Sequence, residues 1–190
     1  MIQLAFDTCY SACSVAIGKD GVLLSHRREE EKNMHSRYLL AMIDVCLQQA
    51  GLKGYEEIER IVVSNGPGSF TGTRVGLAAA VGLKAALGIP VYSASTLAAV
   101  AQAFKKNSDK LCLVQLEAGR GFFYQQLFQE GMKKGELIHC NGLQAAQNRE
   151  MFKVSVIGNG EQVDIYQLPD ACFLLTAEMK LNNNIEARYS

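Results

Sequence analysis

The chain has 190 residues, 48% of them hydrophobic, and its 19 Lys and Arg balance 19 Asp and Glu for a formal net charge of zero at pH 7. That length and apolar content support a packed core, in one domain or two small lobes, and exclude a disordered chain. Zero net charge leaves no global positive field, so unaided capture of a phosphate backbone is disfavoured.

Residues Ile2 to Asp7 and Ala12 to Ile17 form strand-like runs, and Lys19-Asp20-Gly21 supplies an Asp-Gly hairpin turn before Val22-Leu23-Leu24. Leu39, Ile43, Leu47 and Ala50 then recur at helical spacing, with Asn33 or Ser36 as N-cap and Gly51 as the stop. Ile61 to Ser64 is a β-branched strand entering a glycine-rich loop, Asn65 to Gly72, and a helix is predicted from about Thr73 to Leu87. Gly88 ends that helix, Ile89 to Tyr92 reads as a strand, and Ser95 caps a third helix through Leu97, Val100, Ala101 and Phe104.

After a polar break at residues 105–110 the order begins again. Leu111 to Leu116 and Phe122 to Phe128 are predicted as paired strands, and Leu137-Ile138 as a third. A helix from Leu143 to Glu150, a buried strand from Val154 to Ile157 and a last helix from Ala171 to Met179 complete the second half. The expected fold class is therefore α/β, with lobes at 1–104 and 105–190, the second a shortened copy of the first. Tandem units of this order suggest the duplicated ribonuclease-H-like architecture of actin, Hsp70 and sugar kinases. Such open sheets place ligands beyond the C-terminal ends of their strands. Asp7 and Glu117 close the first strand of each half and would face a cleft between lobes; the alternative for each is a solvated turn carboxylate.

Six scattered cysteines without a C-x-x-C pair sit mostly in apolar runs, a usage that fits a reducing compartment. With neither a leader-like N-terminus nor about 18 consecutive apolar residues, a cytoplasmic location is expected. His26, His35 and His139 form no metal-binding pair, so no metal site is expected. No G-x-S-x-G elbow or Ser/His/Asp set emerges either.

The segment Gly66-Pro67-Gly68-Ser69-Phe70-Thr71-Gly72-Thr73-Arg74-Val75-Gly76 carries most of the information. Its glycines permit close backbone approach and Pro67 stiffens the turn. Backbone N–H groups, a helix N-terminus, Ser69, Thr71 and Arg74 could serve an anion. The spacing matches neither a Walker A loop nor a dinucleotide fingerprint, and glycines that serve only packing are the competing reading.

This segment, following a strand, resembles the signature of the TsaB (YeaZ) family, within the glycoprotease-like superfamily related to TsaD. Phe6-Asp7-Thr8, His35-Ser36 and Gly88-Ile89-Pro90-Val91 reinforce the resemblance, which is strong to about residue 104 and weak afterwards. It implies a non-catalytic scaffold that binds the catalytic subunit TsaD, joined by the ATPase TsaE. TsaD transfers a threonylcarbamoyl group to an adenosine beside the tRNA anticodon. The chain would then hold no cofactor alone, with ATP used by the wider complex and tRNA met only through it. Two helices, residues 34–50 and 73–87, would pack on TsaD or on a second copy in a homodimer, and His35, Leu39, Ile43, Leu47, Ala79 and Leu83 are the expected interface. Arg37 after His-Ser, and Glu117-Ala118-Gly119-Arg120, depart from the family pattern. Two other readings are a nucleotide-dependent kinase or hydrolase using Asp7, Glu117 and the loop, and a metallopeptidase.

Overall fold

A computed structural model describes residues 1–30, 35–105, 110–160 and 162–175. The chain divides into two compact units, Met1–Thr96 together with residues 169–175, and Leu97–Leu168. This corrects the expected boundary at 104. The third helix falls in the second unit, where Gln102 donates to the Gly131 carbonyl (3.3 Å), and the chain returns to the first unit at Pro169.

The first unit is built on strands β1 (Ile2–Asp7), β2 (Cys13–Lys19), β3 (Val22–Glu29), β4 (Arg60–Ser64) and β5 (Val91–Ala94), in the order β3-β2-β1-β4-β5. β1 to β3 are antiparallel neighbours, while β4 runs parallel to β1, and β5 to β4. Asp20 and Gly21 both have positive φ (52° and 81°), the conformation a two-residue hairpin turn demands and the reason Asp-Gly stands there. β3 continues well past the predicted Leu24, because its charged second half lies on a sheet edge where no apolar alternation is needed.

Helix α1 (His35–Gln49) and helix α2 (Phe70–Leu87) pack on this sheet. Leu4 and Phe6 of β1, Val15 and Ile17 of β2 and Ile61 and Val63 of β4 share one face and form the core with Leu39, Ile43, Leu47 and Leu77. A short 3-10 helix, Ala171–Leu175, lies against β1 and β2, where Gln3 Nε2 donates to the Leu174 carbonyl (2.8 Å) and Ser14 Oγ accepts from Ala171 N (2.9 Å). It stands where a helix to Met179 is predicted; residues 176–179 of that prediction lie outside the described residues.

The second unit holds α3 (Thr96–Lys105) from Leu97 onward, β6 (Cys112–Gly119), β7 (Phe122–Gln129), β8 (Met132–Lys133), β9 (Ile138–Asn141), α4 (Gly142–Phe152), β10 (Ser155–Gly158) and β11 (Ile165–Tyr166). Its sheet runs β11-β10-β6-β7-β8, with β9 also on β7. β6, β7 and β9 correspond to β1, β2 and β3, α4 to α1, and β10 and β11 to β4 and β5. Among the described residues no helix joins β10 to β11, so the counterpart of α2 is what the shortened copy lacks. The repeated order is the duplicated ribonuclease-H-like fold.

Candidate functional site

The glycine loop leaves the end of β4 and turns directly into α2, which begins at Phe70, three residues before the predicted Thr73. Ser69 is the N-cap: its Oγ accepts from Gly72 N (3.2 Å) and its carbonyl from Thr73 N (2.9 Å). Gly72 hides this start from a reading by propensity, since glycine disfavours a first helical turn.

The glycines are required by what lies beneath them. A Cβ on Gly68 would overlap the carbonyl oxygen of Cys9, one on Gly72 that of Thr8, and one on Gly76 the Thr8 hydroxyl. The Thr8 hydroxyl donates to the Gly72 carbonyl (2.7 Å), and Ser69 N donates to the Cys9 carbonyl (2.6 Å). The turn after β1 is thus clamped against the loop and the first turns of α2. The N–H groups of Ser69, Gly72 and Thr73 are engaged inside this clamp, and the backbone atoms that press on the glycines are carbonyl oxygens, which repel an anion. The packing reading of the glycines therefore holds at Gly68, Gly72 and Gly76. The Gly66-Pro67 peptide bond is cis, and Gly66 has φ 90°.

Under the clamp lies a polar cluster. Asp7 is 1% exposed; its Oδ1 accepts from Cys9 N (2.9 Å) and its Oδ2 has no hydrogen-bond partner among the described residues. Burial pushes its carboxyl up to about 6, against the opposing pull of the Ser64 hydroxyl and the Cys9 N–H. Cys9 Sγ accepts from the hydroxyls of Ser64 (3.2 Å) and Thr73 (3.4 Å). Burial, with the Asp7 charge second, pushes this thiol up to about 12, which makes it a packing group and not a nucleophile. In the second unit Glu117 is exposed on β6, its backbone N–H donating to Asn159 Oδ1 (2.8 Å). Two surface hollows of about 210 and 190 Å³ lie in the first unit, and neither is lined by a residue of the loop.

The helix residues expected at an interface need correction. Leu39, Ile43 and Leu47 are buried in the core beneath α1, and Ala79 and Leu83 are half-buried against it. An apolar stripe at helical spacing is drawn to its own sheet, and that is where this one went. The side chain of His35 lies outside the described residues.

What α2 presents outward is a different stripe: Phe70 (54% exposed), Arg74, Ala78, Val81 (51%), Gly82 and Ala85. Arg74 holds its guanidinium carbon 3.7 Å from the Phe70 ring centroid, a cation–π pair at the start of the stripe. α1 lies beside α2 and adds exposed Leu40 and Ala41. The signal that reveals this stripe in a sequence is that α2 is apolar all round, carrying only Arg74 and Lys84 as charges in 18 residues.

Residues 24–168 match the model of the family described as TsaD, tRNA N6-adenosine threonylcarbamoyltransferase. The chain is 33% identical over 167 residues to the tRNA threonylcarbamoyladenosine biosynthesis protein TsaB of Buchnera aphidicola subsp. Schizaphis graminum, covering 84% of this chain and 79% of that protein. It is 33% identical over 149 residues to TsaB of Escherichia coli, covering 72% of this chain but only 64% of that protein. YeaZ from Pseudomonas aeruginosa shares the fold with a TM-score of 0.78 at 24% identity, over 100% of this chain and 99% of that one. The chain belongs to the TsaB (YeaZ) family.

Proposed function

We propose that this chain takes part in threonylcarbamoyladenosine biosynthesis on tRNA as a non-catalytic docking subunit, seating the sister subunit TsaD on the exposed faces of α2 and α1. The observation that carries the reading is the small-residue stripe Ala78, Val81, Gly82 and Ala85, left exposed with Phe70 at its head and Leu40 beside it. A helix with such a face lets a second helix approach closely, and burying it removes apolar surface from water. The clamped loop supports the same reading, because a motif closed by Thr8 and Cys9 positions α2 and does not grip a reactant.

In this reading TsaD performs the transfer to N6 of adenosine, the ATPase TsaE joins the assembly, and tRNA is met through the complex. In this reading the chain brings no cofactor to the transfer, and ATP is used by the wider complex. A second copy of the chain would compete for the same face, so a homodimer and the TsaD complex exclude each other. The protein acts in the cytoplasm beside its tRNA substrate.

The test is tRNA modification by TsaD and TsaE with and without this chain, paired with TsaD affinity for the wild type and Val81→Asp. Modification that depends on the chain, and an affinity at least tenfold weaker for a folded Val81→Asp variant, support the proposal. Full modification without the chain, or unchanged affinity, overturns it.

A further inference from the structure

His26 of β3 meets Asp170 and Cys172 of the segment that lies across the first sheet. His26 Nε2 stands 2.8 Å from Asp170 Oδ1, and Cys172 N donates to the same oxygen (3.0 Å). An imidazole nitrogen of His26, a carboxylate oxygen of Asp170 and the Cys172 Sγ all lie within 4.8 Å of one another. Asp170 is buried, Cys172 half-buried, and His26 opens the group to solvent.

We infer that His26, Asp170 and Cys172 form a binding site for one divalent cation of the zinc class. Imidazole nitrogen, thiolate sulfur and carboxylate oxygen are the donors such an ion combines, at about 2.0 to 2.3 Å each, which sets the donors about 3 to 4 Å apart. From the present spread, His26 Nε2 and Asp170 Oδ1, now 2.8 Å apart, must separate slightly to admit the ion, and Sγ must come within bonding distance of it. The ion takes the place of the hydrogen that His26 Nε2 shares with Asp170 Oδ1 and of the thiol proton of Cys172. The imidazole carries its proton on Nδ1 instead, the thiol releases its proton to solvent, and nothing is oxidised or reduced. Thiolate and carboxylate together neutralise the ion, so the loaded trio has no net charge.

Arg28 completes the arrangement from behind. Its NH1 donates to Asp170 Oδ2 (3.0 Å) and to the Pro169 carbonyl (2.9 Å), fixing the carboxylate so that Oδ1 faces His26 and Cys172. A tetrahedral ion held by this trio would take water as its fourth ligand. Bound there, the ion ties the edge strand β3 to residues 170–172 and so holds the far end of the described chain onto the first sheet. The sequence carries no sign of this, because the ligands come from opposite ends of the chain and the histidines have no motif spacing. The site shares no residue with the α1 and α2 faces and stands apart from the docking proposal.

The test is titration of the reduced, metal-free full chain with cobalt(II) as a spectroscopic probe, followed by displacement with zinc. One equivalent of cobalt producing a thiolate-to-cobalt charge-transfer band, removed by zinc, supports the site. So does loss of that band in Cys172→Ser with the secondary structure unchanged. Absence of the band overturns the site, and so does its persistence in Cys172→Ser, where another of the cysteines would be the ligand. Where Cys172→Ser does not fold, His26→Gln decides: affinity reduced at least tenfold supports the trio, and unchanged affinity overturns it.

Discussion

The carbonyl oxygen of Thr8 occupies the space that a side chain on Gly72 would need, while the Thr8 hydroxyl donates to the Gly72 carbonyl at 2.7 Å. Neither partner can yield cheaply, because one is backbone at the end of a central strand and the other lies in the first turn of α2. Gly72→Ala is expected to destabilise the protein by about 1–3 kcal/mol through overpacking. Gly82, on the exposed stripe of the same helix, has nothing within 4 Å of its would-be Cβ. Gly82→Ala is therefore expected to stabilise the isolated protein by about 0.5–1 kcal/mol, since alanine loses less backbone freedom. Urea unfolding of the two variants measures both, and equal effects would remove the clamp from the account.

The two apolar stripes of α1 and α2 separate by the same logic. Ile43 is fully buried against the sheet, whereas Val81 is half exposed. A charge at Ile43→Asp would enter the core unpaired and is expected to cost about 3–5 kcal/mol. Val81→Asp meets water and is expected to stay within about 0.5 kcal/mol of the wild type. Thermal and urea unfolding distinguish them before any partner is added, and a stable Ile43→Asp would mean that α1 sits differently on its sheet.

That contrast marks how far the sequence could be read. The order of elements was legible because each carries its own local signature: the Asp20-Gly21 turn, the left-handed Gly51 and Gly88 after their helices, the β-branched run at Ile61 to Val63. A period of 3.6 shows that a helix has an apolar face; it does not say whether that face meets the helix's own sheet or another molecule. Leu39, Ile43 and Leu47 were therefore assignable to either. The clamp was equally hidden, since the glycines of the motif are explained only by Thr8 and Cys9, about 60 residues earlier in the chain. β8 and β11 have two residues each, too few to show alternation.

In the second unit, Gln115 and Gln125 stand side by side on β6 and β7 with no exposure to water. Gln115 Oε1 accepts from Gln125 Nε2 (2.7 Å) and from Arg149 NH1 (2.8 Å), and Gln125 Oε1 accepts from Asn148 Nδ2 (2.9 Å). This network joins α4 to the sheet through polar groups in a buried setting, where each lost partner is costly. Gln125→Leu removes one bond to Gln115 and leaves Asn148 unanswered. The expected loss is about 2–4 kcal/mol. Gln125→Glu keeps the acceptor for Asn148 and, protonated at low pH, can donate its O–H to Gln115 Oε1 in place of Nε2, so it should fall between the wild type and the leucine variant there. Hydrogen exchange of the β6 and β7 amides reads the effect locally; unchanged protection in the leucine variant would show that the network contributes nothing.

Asp7 makes the stability of the first unit depend on pH in a direction opposite to that of most carboxylates. Burial raises its carboxyl from 3.8 when unfolded to about 6 in the folded protein. Between these values the folded state holds the proton that the unfolded state has released, so stability falls as pH rises through the window from about 4 to about 6. Below it both states are protonated and the full stability is present; above it the ionised carboxylate stays buried at a cost of about 3 kcal/mol by the linkage relation. Asp7→Asn keeps the oxygen that accepts from Cys9 N and cannot ionise. The variant is expected to match the wild type near pH 4 and to exceed it by about 2–3 kcal/mol at pH 8, as read from urea unfolding at the two values. A variant less stable than the wild type at pH 8 would mean that the folded chain stabilises the charged form of Asp7, against the burial argument.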